Sequence, residues 1–216
     1  MTFIQTPDGP MLTGSSPDLL QTLLIRYEEV LTSLGGPVAD TMNPGLGSFE
    51  VEIKLRSRGL SCPDELLVWF GWHNGVMLEG LRTAGIPGLF PAGLDACLAA
   101  YDQSRSELED YVELDLDYES LAYGATEGWL RLQSISESIA VECARDGASP
   151  PRTRWANLDF TDPTYAGRFR AVSLCTTVAR WIESAEAGAF EWRPTDHRWI
   201  VNDEFLLTDL TGSPLG

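Results

Sequence analysis

Residues 49–75 read FEVEIKLRSRGLSCPDELLVWFGWHNG, two short apolar segments separated by residues that break a helix and start another. The first segment predicts a helix with Phe49, Ile53, Leu46 and Leu55 facing inward, ended by Gly59. Pro63 suits the first position of the next helix, where a missing N–H leaves no bond unmade. Asp64 and Glu65 follow in the first turn, where the helix dipole favours negative charge. Leu66, Leu67, Trp69 and Phe70 give this helix its bulk, and Asn74–Gly75 leaves it through residues that readily take positive φ. The centre of the chain is therefore a pair of short helices, and the flanks must cover their apolar faces.

On the N-terminal side, Leu19, Leu20, Leu23, Leu24, Tyr27, Val30, Leu31 and Leu34 recur at intervals of three and four, one helical stripe from Ser16 or Pro17. Gly35, Gly36 and Pro37 stop it. Residues 1–15, rich in Pro, Gly, Thr and Ser, read as irregular, residues 16–45 as a helix and loop elaboration, and residues 46–216 as the main domain. On the C-terminal side, Leu94, Cys97, Leu98 and Tyr101 predict a helix from Gly93 to Ser104 that runs on through Leu108 and Tyr111. Trp129, Leu130 and Leu132 predict a strand, residues 135–143 fit helix and strand equally, and residues 146–154 and 160–167 read as loops. Ser173 is placed to cap a last helix carrying Leu174, Val178, Trp181, Ile182 and Ala185 and closed by Gly188. Phe190, Trp192, Trp199, Ile200 and Val201 then pack back on the body.

Residues 107–119, ELEDYVELDLDYE, hold seven carboxylates with no Lys or Arg, yet alternate from Val112 onward. Read as a strand, Val112, Leu114, Leu116 and Tyr118 point inward, and Glu113, Asp115, Asp117 and Glu119 form an outward acidic face. Such a face either meets a cationic partner or guards a sheet edge against strand addition. The spacing of Asp115, Asp117 and Glu119 echoes a calcium loop, but Ser120 stands where that loop turns on Gly, so no metal is expected.

Composition narrows the function classes. In 216 residues, 32 acids against 15 bases give a formal charge of -17 and a pI near 4.3. That field opposes nucleic acid and anionic membrane surfaces and attracts a basic protein. No window reaches the roughly 18 apolar residues of a membrane span, and the first twenty residues lack the pattern of a secretory signal, so the expected location is cytoplasmic. Cys62, Cys97, Cys143 and Cys175 lie far apart, without the paired spacing of a metal or redox site, and are expected as buried thiols. No cofactor motif is present.

The run from Phe49 to Gly75, with its helix, Gly59, the Pro63-opened helix and the closing His73, Asn74 and Gly75, resembles the N-terminal signature of the SMI1/KNR4-like proteins, the SUKH superfamily. Phe90 to Tyr101 is similar to the family's following strand and helix. Trp129 to Leu132 is similar to its central strand, with Arg131 where Pro is frequent, and Ser173 to Gly188 to its C-terminal helix. The resemblance implies a single α+β domain with a mostly antiparallel, curved sheet flanked by helices, here with an extra N-terminal helix. It also implies a non-catalytic role, in bacteria frequently that of an immunity protein that binds and neutralises a cognate toxin. Fungal relatives serve as regulatory or scaffolding proteins of cell wall synthesis.

Catalytic alternatives are poorly supplied. His73 beside Trp72 reads as a turn histidine bonded to backbone groups, and so does His197 beside Asp196 despite the formal His–Asp pair. Carboxylate pairs of the kind a two-acid hydrolase needs are plentiful, but nothing marks one of them. Among the seven Trp, Trp69, Trp129 and Trp181 lie in periodic segments and read as core. Trp155, Trp192 and Trp199 stand in polar contexts that suit an interface or a satellite of the core. The expected partner-binding residues are Glu113, Asp115, Asp117, Glu119, Trp72 and Trp155, facing a basic toxin domain.

Overall fold

The computed structural model describes residues 2–6, 9–77, 86–87, 91–113, 128–132, 137–143, 153–157 and 173–202. Where the sequence reads as irregular, a hairpin forms, β1 (Phe3–Thr6) against β2 (Gly9–Leu12). It docks through Leu12, which is buried and whose N–H donates to Thr176 Oγ1 at 3.0 Å. Helix α1 (Pro17–Ser33) follows as expected. Ser16 caps it by accepting from the Leu19 N–H, and Gly35 leaves it at φ 88°. Its stripe of Leu20, Leu23, Leu24, Tyr27, Val30 and Leu31 is buried.

The short helix α2 (Val38–Thr41) and strand β3 (Met42–Pro44) lead to the central pair, α3 (Ser48–Arg56) and α4 (Asp64–Trp72), with Gly59 at φ 72° between them. The pair exists as read and Leu55 is buried as expected, but Phe49 and Ile53 face outward and Val51 takes their place in the core. Val51 and Leu55 are buried, whereas Phe49 is 76% and Ile53 51% exposed. Helix α4 passes directly into β4 (His73–Val76), antiparallel to β3. The backbone crossing here is close, since a Cβ on Gly45 would collide with the carbonyl oxygen of Gly71.

Helix α5 (Leu94–Glu113) begins where predicted but extends to Glu113, so Val112 and Glu113 belong to a helix and not to the acidic strand expected there. Asp115, Asp117 and Glu119 lie outside the described residues. Strands β5 (Trp129–Arg131), β6 (Glu137–Glu142) and β7 (Thr153–Asn157) form an antiparallel sheet, which resolves residues 137–142 as strand and makes Thr153 and Arg154 strand instead of loop. The loops expected at 146–152 and 160–167 lie outside the described residues.

Helix α6 (Leu174–Glu186) is capped by Ser173, whose side chain accepts from the Thr176 N–H. Sequence predicts one apolar stripe, but the helix is buried nearly all round: Thr176, Thr177, Arg180 and Ser184 are covered along with Leu174, Val178, Trp181 and Ile182. It is the central helix of the fold. Each fully buried aliphatic side chain of this kind contributes about 1.5–3 kcal/mol. Tyr27 of α1 and Trp69 of α4 both pack on Trp181, with ring centroids 5.6 and 6.3 Å away. Strands β8 (Phe190–Arg193) and β9 (Arg198–Val201) close the described chain as a hairpin. Trp192 and Trp199 meet across it at 5.4 Å, and Trp199 lies over Gly36 behind α1. Trp199 packs on the core, and Trp192 packs on Trp199.

The architecture is α+β, and every strand pairing among the described residues is antiparallel, in three two-stranded units and one three-stranded unit. Two of these units are stitched together. The Val76 N–H donates to the Pro91 carbonyl at 3.1 Å and the Ala92 N–H to the Leu132 carbonyl at 3.0 Å, so hydrogen bonds run without a break from β3 and β4 to β5 and β6. No described helix is long and apolar enough to cross a membrane.

Candidate functional site

The sequence His73–Asn74–Gly75 organises the surface around Trp72, each residue by a different bond. His73 lies with Nδ1 3.2 Å from the Asn43 carbonyl of β3 and Nε2 3.3 Å from Glu28 Oε2 of α1, and its N–H donates to one or the other according to the tautomer. Asn74 Oδ1 accepts from the Leu94 N–H at 2.8 Å, satisfying one of the open donors at the start of α5. Gly75 takes φ 79°, and a Cβ on it would strike the backbone nitrogen of Gly93. Asn43 completes the junction by donating from Nδ2 to the carbonyls of Asn74 and Val76.

Trp72 is half-buried at the end of α4. Its indole N–H donates to Glu28 Oε2 at 2.9 Å, and its ring rests between Trp69, 5.9 Å away, and His73, 4.7 Å away. Both ring nitrogens of His73 are thus engaged with a carbonyl and a carboxylate, and among the described residues neither is bonded to a hydroxyl or thiol that it could activate. His197 sits in the exposed β8–β9 turn at φ 48°. Among the described residues no group of three or more His, Cys, Asp or Glu is arranged to hold a metal.

Beside Trp72 opens a groove of about 460 Å³ between α1 and α4. Gln21, Leu24 and Ile25 form one wall, Leu67, Val68 and Trp72 the other, and Ser48 at the start of α3 closes one end. Ile25 is half exposed, and Phe49, next in the chain to Ser48, is the most exposed large apolar side chain described. The groove thus presents Ile25, Leu67, Val68 and Trp72 together with the polar Gln21 and Ser48, a mixed surface held by helices.

Of the residues expected to bind a partner, Trp72 lies in this groove. Glu113 is on the last turn of α5, and Trp155 is on β7 in register with Ile139 of β6; neither side chain is among those described. Sequence reasoning passed over Ile25, Leu67, Val68 and Glu28. The available signal was Ile25 itself, an apolar residue that falls off the buried stripe of α1.

The thiols behave as structural groups. All four are free, three are buried and Cys62 is half-buried. Burial pushes Cys97 and Cys143 up to about 12 and Cys62 to about 11, which removes their nucleophilic form at neutral pH. Compared with known proteins, the chain matches no family model, and no curated protein is significantly similar to it in sequence.

Proposed function

We propose that the chain is a non-catalytic protein-binding protein of the SMI1/KNR4-like kind, acting as a bacterial immunity protein that neutralises a basic toxin by covering it. The observation that carries this reading is an open groove of mixed apolar and polar lining set in a chain of formal charge -17, beside a histidine whose bonds among the described residues go to a carbonyl and a carboxylate. An acidic surface steers a basic partner in and excludes nucleic acid, while the groove supplies contact that persists after encounter. The paired helices α3 and α4, the step from His73 into an antiparallel sheet, and the late helix α6 support the family assignment.

The test is rescue. A basic toxin domain, taken from the neighbouring reading frame if that frame encodes a large secreted protein, is expressed with and without this chain. Survival of co-expressing cells, a stoichiometric complex, and an association rate that falls steeply with salt are expected. Continued killing in the presence of folded, abundant protein overturns the reading.

A further inference from the structure

We propose that the groove between α1 and α4 receives an amphipathic helix of the partner, aliphatic on its inner face and carrying a Lys or Arg near each end. The inference rests on the protein-binding reading above and names the site and the ligand chemistry. It starts from the α1 wall. Asp18, Gln21, Ile25 and Glu28 follow one another at helical spacing, so Gln21 and Ile25, which line the groove, are flanked along the helix by a carboxylate on each side. The two acids stand ten positions apart, about 15 Å along the axis.

Among the described residues Asp18 and Glu28 have no Lys or Arg partner, whereas Glu29, one residue beyond the row, pairs with Arg26 and Glu50 with Lys54. Glu28 uses Oε2 for both Trp72 and His73, and among the described residues Oε1 has no hydrogen-bond partner on a side chain that is 28% exposed. A cationic group brought there has a carboxylate to bond and the face of Trp72 beside it, and its methylene stem lies along apolar wall.

The backbone geometry selects a helix over an extended segment. The groove is walled by two helices whose N–H and C=O groups are bonded within themselves, so it offers no open strand edge to pair with. An extended peptide laid there leaves its own amides unpaired against apolar side chains, whereas a helix brings its backbone bonds with it. The walls, through Ile25 on one side and Leu67 and Val68 on the other, take aliphatic anchors at positions i, i+3 or i+4, and i+7.

The experiment selects binders to the whole chain from a displayed library of helical peptides about 16 residues long, roughly four turns, built from Leu, Ile, Ala, Glu, Lys and Arg. The groove predicts winners with an aliphatic stripe and basic residues about ten positions apart. It also predicts that Ile25→Glu weakens them by about tenfold or more without changing the circular dichroism spectrum or thermal midpoint. Glu28→Gln, which keeps an acceptor for Trp72, is expected to weaken them severalfold and to reduce their salt dependence. Winners that bind Ile25→Glu as tightly as the native chain, or that show no preferred spacing of basic residues, overturn the groove. Toxin rescue by Ile25→Glu at native level overturns it too, while leaving the immunity reading intact. Failed rescue by the native chain with groove-dependent peptide binding sinks the immunity reading alone.

Discussion

The indole N–H of Trp72 donates to the Glu28 carboxylate at 2.9 Å, joining the end of α4 to the middle of α1 at the mouth of the groove. A hydrogen bond to a charged acceptor contributes more than a neutral one, and partial exposure of Glu28 reduces that advantage. Trp72→Phe keeps most of the ring contact with Trp69 and removes the donor. The expected cost is about 1 kcal/mol in urea unfolding. A double-mutant cycle with Glu28→Ala checks the cause: coupling near zero means the bond does not hold the two helices together.

Ser173 is shared between two structures. Its Oγ accepts from the Thr176 N–H at 3.1 Å and from the Ser15 hydroxyl at 2.6 Å, while Thr176 Oγ1 in turn takes the Leu12 N–H at 3.0 Å. Ser173→Ala therefore uncaps α6 and loosens the seat of the N-terminal hairpin. A stability loss of about 1–2 kcal/mol is expected, together with faster amide exchange at Leu12. Unchanged protection at Leu12 separates the hairpin from the cap and refutes the link.

Much of this fold is legible in the chain because four helices each carry one unambiguous instruction: α1, α4, α5 and α6 have a stripe, a cap or a stop that fits one template. The failures arise where two templates share residues. In α3 the pairs Phe49/Ile53 and Val51/Leu55 are both spaced by four and lie on opposite sides of the helix. Nothing local says which side meets the core, and the tertiary packing chose Val51 and Leu55. Val112 ends a helical series from Leu94 through Leu98, Tyr101 and Leu108, and it also begins the alternation to Tyr118. The helix already running takes Val112 and Glu113, because extending a formed helix is cheaper than nucleating a new element. The groove was hidden for the opposite reason. It is made of residues from three helices, so its only trace in the chain is single apolar side chains out of phase with their stripes.

Glu65 gives a pH-dependent prediction. It is only 6% exposed in the first turn of α4, and burial raises its carboxyl above the ordinary range, with the charge of Asp64 adding to the rise. A carboxyl whose folded pKa exceeds its unfolded value binds its proton more tightly when folded. Its contribution to stability is full below the unfolded pKa and is lost as pH rises through the folded one. Glu65→Gln removes the charge that burial disfavours. The variant is expected to match the native chain in urea midpoint near pH 4 and to exceed it at pH 7. Parallel midpoints across that window defeat the assignment.

Gly75 makes the strongest demand on residue identity. Its φ of 79° disfavours any side chain, by about 1–2 kcal/mol, and a Cβ there meets the backbone of Ala92 and Gly93 as well. Those two residues cannot yield freely. Ala92 is bonded to Leu132 at 3.0 Å, and the next residue, Leu94, donates to Asn74 Oδ1 at 2.8 Å. Gly75→Ala is thus expected to lose the cap on α5 along with its own conformation, costing about 2–3 kcal/mol, against about 1 kcal/mol for Asn74→Ala alone. Because the first change already breaks the bond that the second removes, the double variant should cost less than the sum of the two. Additive losses show instead that the glycine and the cap act separately, and that the approach of residues 92–93 does not set the start of α5.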